Sequence, residues 1–179
     1  MLERLWNGWR ATYVSSIEST GASTSEQLGG SIFTRILTSG LSDEQSNIVH
    51  RSQQCFAILN AYPYATGHLL VLPYREVADL ESLTEAETTE IWGTVRDAVV
   101  AVKAAYSPEG VNVGINLGRP AGGSVSGHLH VHVVPRWTGD SNFMTAIANT
   151  RTLPEPLVDT AARIRAAWPD ATNGPRLSS

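Results

Sequence analysis

The chain of 179 residues carries one cysteine, Cys55, and that scarcity excludes an internal disulfide framework and any cysteine-rich zinc site. A reducing, cytoplasmic setting is the expectation. Lysine and arginine number 13 against 17 aspartates and glutamates, a formal net charge of −4, and no basic run interrupts the sequence. Nucleic acid, which is held non-specifically by a surplus of positive charge, is therefore not an expected partner. Long apolar runs are missing too. Glu3, Arg4 and Arg10 break up the N-terminal stretch, so neither a signal peptide nor a membrane span is expected. No internal repeat is visible. What is present is ordinary for a soluble protein, 42% hydrophobic and 17% charged, at a length that suits one domain with extensions.

Leu2, Leu5, Trp6, Trp9 and Tyr13 fall at helical spacing and predict an N-terminal helix whose apolar stripe packs on the domain or on a second subunit. Residues 15–30 are dominated by Ser, Thr and Gly, the composition of a loop. From Asn47 the pattern turns to strands at Ile48–His50, Cys55–Asn60 and His68–Pro73, with Pro63 and Gly67 marking a turn between the last two. An antiparallel meander is expected. Thr84 and Glu87 have capping-box spacing, and Ile91, Val95, Ala98, Val99, Val102 and Tyr106 continue one helical face as far as Ser107-Pro108. A strand over 111–117, a glycine-rich turn over 118–124 and a second strand follow. A last helix, Leu157 to Trp168, presents Leu157, Ala161, Ile164 and Trp168 on one side and stops at Pro169.

Three of the five histidines alternate with aliphatic residues in His128-Leu129-His130-Val131-His132-Val133. In an extended strand the three imidazoles share one face, about 6.6 Å apart, while Leu129, Val131 and Val133 share the other. One phosphate could touch the middle ring and approach the flanking two. A lone strand histidine is ordinarily satisfied by a carbonyl or by water, but three in alternation crowd their charges whenever two protonate. A shared metal is a second reading, since imidazole suits zinc, iron or copper, although no acidic cluster or cysteine pair completes a ligand set. Nucleophilic or acid–base chemistry is the third. The turn Gly118-Arg119-Pro120-Ala121-Gly122-Gly123-Ser124 lies just before these histidines; its small residues let backbone amides approach an anion, and Ser124 adds a hydroxyl. Beside a histidine nucleophile such a nest of donors would supply the charge stabilisation and positioning that phosphoryl transfer requires.

The run His128 to Arg136, ending His-Val-Val-Pro-Arg, resembles the signature of the histidine triad (HIT) family of nucleotide hydrolases and transferases. Ala57-Ile58-Leu59-Asn60, Tyr62-Pro63-Tyr64, Gly67 to Pro73, Gly114 to Gly118 and Gly139 to Phe143 resemble the same family. The Leu2-x-x-Leu5-Trp6 stripe and Trp137 further resemble its actinobacterial branch, which acts on diadenosine polyphosphates. The resemblance implies an α+β HIT-like fold, an antiparallel five-stranded sheet with a long helix packed on it, with helical extensions at both ends. The expected divisions are 1–30 for the N-terminal helix and loop, 31–148 for the HIT domain and 149–179 for the C-terminal helix and tail.

The same resemblance assigns roles. His130 would attack the α-phosphorus of a nucleotide and form a covalent nucleotidyl-histidine, its other ring nitrogen donating to a backbone carbonyl. His132 would bind the α-phosphate near the departing or entering group. His128 would support the pocket, with His68 nearby. Asn60 matches the ribose-contacting position, and Asn116, Gly123 and Ser124 match the phosphate-contacting loop. The implied substrate is a dinucleoside polyphosphate, most of all diadenosine tetraphosphate, cleaved by phosphorolysis or hydrolysis; a nucleoside phosphoramidate or other monophosphate conjugate, or nucleotide binding with little turnover, are the alternatives. No cofactor is expected beyond inorganic phosphate as a co-substrate, and a homodimer or higher homo-oligomer is expected. Many family members open the domain with Cys-x-x-Cys, which joins two histidines around a structural zinc. This chain has Ser31-x-x-Thr34, and hydroxyls are poor zinc ligands, so no metal site is expected.

Overall fold

The computed structural model describes residues 30–123, 125–140 and 155–169. The predicted N-terminal helix and the Ser124 hydroxyl lie outside the described residues. Five strands, β1 (Ile48–Arg51), β2 (Cys55–Leu59), β3 (Leu69–Pro73), β4 (Gly110–Ile115) and β5 (Val131–Arg136), form one sheet in the order β1-β2-β3-β5-β4, and every described pairing is antiparallel. This is the expected five-stranded α+β architecture. β2 and β3 are buried at every position and read as unbroken apolar runs, because both faces of the sheet are covered there.

One face packs against α3 (Glu85–Tyr106), where Ala57, Leu59, Leu69, Val71, Val131 and Val133 meet Ile91, Val95, Ala98 and Val102. The Thr84 hydroxyl accepts from Glu87 N while the Glu87 carboxylate accepts from Thr84 N, the reciprocal cap that the spacing predicted. Arg75 donates twice to the same carboxylate, and this charge-assisted pairing pulls Glu87 down to about 2. The C-terminal helix α4 (Leu157–Ala167) joins the same core through fully buried Ala161 and Ile164. Trp168 stacks on His50 with ring centroids 4.6 Å apart, and Arg165 donates to Ile48 O and Asp43 O, tying α4 to β1.

The other face is covered by a helix that sequence reasoning missed, α1 (Ile32–Thr38), followed by the single turn α2 (Asp43–Ser46). Seven residues are too few to show a period, and α1 depends on packing Phe33 against Phe56, Ile58, Leu70 and Leu72. Strand ends also differ from expectation. β4 stops at Ile115, leaving Asn116 and Leu117 to begin the turn, and β3 begins at Leu69, leaving His68 just outside the ladder. Among the described residues no helix is long and apolar enough to cross a membrane.

Candidate active site

Across the ladder His132 faces Leu70 on β3 and Gly114 on β4. Leu70 belongs to the cluster under α1, so His132 projects from the face of the sheet away from α3. The other two triad members depart from the expected ladder of equivalent rings: β5 begins only at Val131, and His128 and His130 precede it in irregular backbone. The three rings consequently have three environments. His128 is 0% exposed and lies beneath α1 rather than looking into a cleft. Its Nε2 donates to the Pro73 carbonyl at 2.9 Å, which leaves Nδ1 to accept from the Ser31 hydroxyl at 2.7 Å.

His130 Nδ1 donates to the His128 carbonyl at 2.8 Å. That bond fixes the tautomer and leaves Nε2 as the lone-pair nitrogen, the arrangement a nucleophilic imidazole needs. Burial holds both His128 and His130 below the ordinary imidazole range, against the opposing pull of the carbonyl each ring meets. His130 is therefore kept neutral. Its ring lies 5.0 Å from that of His132, edge to face.

His132 is oriented by a chain of donors. Tyr64 N, at 3.0 Å, and the Asn60 amide, at 3.3 Å, both reach His68 Nδ1 and make it an acceptor. In the neutral ring the proton then sits on Nε2, which donates to His132 Nδ1 at 2.9 Å. His132 is left presenting an N–H from Nε2, and Asn116 Nδ2, itself a donor, lies 3.4 Å away, so the two N–H groups converge rather than bond to each other. Tyr64 also lies against both rings, 4.7 Å from His68 and 6.0 Å from His132 between centroids. Sequence reasoning assigned Tyr64 no role; the Tyr-Pro-Tyr turn before Gly67 was its only signal.

Two amides of the glycine turn are spent within the turn. The amides of Gly122 and Gly123 donate to Arg119 O and Gly118 O, closing the turn on itself. Gly123 is still required: a Cβ there would meet Gly118 O at 3.0 Å and Asn116 O at 3.1 Å, so only glycine lets the turn fold against Asn116. Asn60, His68, Asn116, His130 and His132 thus converge, Gly123 buttresses them, and His128 stands behind.

A histidine-centred transfer site on an α+β sheet is what fold and geometry define. A model of the HIT domain matches residues 42–139, more than half of the chain, and the chain belongs to the HIT family. It is 42% identical to the AP-4-A phosphorylase of Mycobacterium tuberculosis over 167 residues, 93% of this chain and 85% of that protein. A Schizosaccharomyces pombe asymmetrical bis(5'-nucleosyl)-tetraphosphatase is 36% identical over 95 residues, 53% of this chain and 52% of that enzyme. Among solved structures, a HIT-like protein from Bartonella henselae superposes with a TM-score of 0.64 at 28% identity, covering 77% of this chain and 96% of that one. A zinc-bound histidine triad protein from Mycobacterium smegmatis gives 0.62 at 25% identity, covering 76% and 91%.

A zinc in the place that Cys-x-x-Cys would provide meets an unsuitable donor set here. Ser31 and Thr34 offer neutral hydroxyls, Thr34 donates its proton to Glu76 at 2.7 Å, and both ring nitrogens of His128 are committed to protein partners. His68 points to His132 instead of toward Ser31. Among the described residues no three His, Cys, Asp or Glu side chains converge in a way that could hold a metal.

Proposed function

We propose that this chain cleaves dinucleoside polyphosphates, diadenosine tetraphosphate first among them, by nucleotidyl transfer through His130. The observation that carries the reading is the bond from His130 Nδ1 to the His128 carbonyl, which leaves a neutral, buried Nε2 beside the N–H of His132. The names of the relatives, AP-4-A phosphorylase and bis(5'-nucleosyl)-tetraphosphatase, support the substrate class. Nε2 attacks the α-phosphorus, the bond to the bridging oxygen breaks, and ATP departs with the electron pair. The acceptor then attacks the same α-phosphorus from the side ATP has left, the P–Nε2 bond breaks, and the electron pair returns to His130 Nε2. Asn116 and His132 face the phosphoryl oxygens, Asn60 faces the ribose, and Ser124 belongs to the same phosphate-binding turn. Inorganic phosphate as acceptor gives ADP; water gives AMP. The cytoplasm, which supplies both nucleotide and phosphate, is the proposed setting.

Phosphorolysis is the expected outcome. Incubation with diadenosine tetraphosphate should yield ADP and ATP when inorganic phosphate is present and nothing without it. AMP and ATP without phosphate would make the chain a hydrolase, and no cleavage under either condition would refute the reading. We also propose a homodimer seamed along β4, whose outer edge pairs with no described strand and which exposes Asn112, Val113 and Gly114. Light scattering should then give twice the mass of one chain, and a monomer would exclude this seam.

A further inference from the structure

We propose that Ser31 is a positioning residue for His130, acting through His128 from the N-terminal end of α1. The inference rests on the reading of His130 as the nucleophile. It assigns to a hydroxyl network the place that Cys-x-x-Cys and zinc hold in other members of the family.

Ser31 is 7% exposed, and its hydroxyl meets His128 Nδ1 at 2.7 Å across 97 residues of sequence. Because His128 Nε2 already gives its proton to Pro73 O, the Ser31 hydroxyl must be the donor to Nδ1. The same oxygen accepts from Thr34 N, the capping bond of α1. One oxygen thus ends the helix and fixes the ring. Glu76 fixes Ser31 in turn: its Oε2 accepts from Ser31 N at 2.8 Å and from the Thr34 hydroxyl at 2.7 Å. Gly30, at φ +104°, lets the chain pass this carboxylate, which a Cβ there would meet at 3.0 Å.

The purpose of this network is visible one residue further on. Residue 128 is held by its ring at both nitrogens, and Leu129 N donates to Val77 O at 2.6 Å, so the intervening carbonyl has little freedom. That carbonyl is the group that receives the His130 Nδ1 proton. Phe33 adds a second hold from the same helix, edge-on to His128 and tilted against His130, each at 5.5 Å between centroids. Remove the Ser31 hydroxyl and a fully buried His128 Nδ1 loses its donor. The ring then turns to find another, the carbonyl follows, and His130 samples the tautomer in which Nε2 carries the proton and cannot attack.

The test compares wild type, Ser31→Ala and Glu76→Gln, each labelled with ring-15N histidine and studied without ligand for the His130 tautomer. The same proteins are assayed for kcat and KM with diadenosine tetraphosphate and phosphate. Wild type should show a single Nδ1–H form of His130. Ser31→Ala should show a mixture and lose about tenfold or more in kcat with KM within about twofold, as expected when a supporting contact of a reacting group is removed. Glu76→Gln should shift both readouts in the same direction by about threefold, because one acceptor oxygen is weakened but not removed. A pure Nδ1–H form with wild-type kcat in either variant would overturn the proposal, and Glu76→Gln decides it if Ser31→Ala does not fold. Stoichiometric zinc in the purified wild type, with the single tautomer lost on chelation, would overturn it as well. Should wild type prove inactive, the catalytic reading fails while the 15N spectra still decide whether Ser31 sets the His130 tautomer.

Discussion

His130→Ala is expected to lower turnover of diadenosine tetraphosphate by about 10⁴-fold or more, since removal of a covalent nucleophile leaves only binding and electrostatic stabilisation. Quenching the wild type in alkaline denaturant during turnover with labelled substrate should trap a fraction of adenylylated protein whose label is lost on acid treatment, and the variant should carry no label. Label that persists in His130→Ala would move the nucleophile elsewhere. The pH profile gives a second check. Desolvation places His130 below the ordinary imidazole value of 6.5, so the protonated, non-nucleophilic form appears only at lower pH. Wild-type kcat/KM should therefore hold steady as pH falls from 7 to 6.5 and decline only as it passes through the lowered value, giving an acid limb displaced toward acid relative to free imidazole.

His132→Ala should cost about 10²–10³ in kcat, the range for losing one pre-set donor to developing phosphoryl charge. The direction of the donor chain decides how the loss depends on substrate. Tyr64 N and Asn60 make His68 Nδ1 an acceptor, His68 Nε2 donates to His132 Nδ1, and His132 offers an N–H that stays on its nitrogen. A donor of this kind stabilises the phosphoryl oxygens whatever group departs. The variant should then lose similar factors on diadenosine tetraphosphate and on adenosine phosphoramidate, whose amine is a far more basic leaving group. A loss that grows steeply with leaving-group basicity would show that His132 instead gives up a proton. His68→Ala should produce a smaller loss of the same character, because it frees the His132 tautomer without removing the donor.

The sheet was legible in the sequence because its central strands are apolar throughout, Cys55 to Leu59 and Leu69 to Pro73, and the long helix because Thr84 and Glu87 mark its start. The helix α1 was not, since its stability comes from Phe33 packing on distant strands, not from any local period. At the site, the identity of His130 followed from the motif, but period-two reasoning made the three histidines equivalent. That reasoning holds only within a ladder, and the chain enters β5 at Val131, so two of the rings obey tertiary contacts. Ser31 stands 97 residues from His128, and Glu76 stands 45 from Ser31; spacing carries no trace of such bonds.

Burial of His130 bears on the lifetime of the covalent adduct as well as on its formation. Once Nε2 carries a nucleotidyl group and Nδ1 keeps its proton, the ring is a cation, and among the described residues it meets the His128 carbonyl, Phe33 and a second imidazole but no carboxylate. An environment that resists a proton resists this cation for the same reason. The proposed adduct should consequently be a high-energy donor that hands its nucleotide onward quickly, and at steady state the enzyme should stand mostly unadenylylated, waiting for substrate.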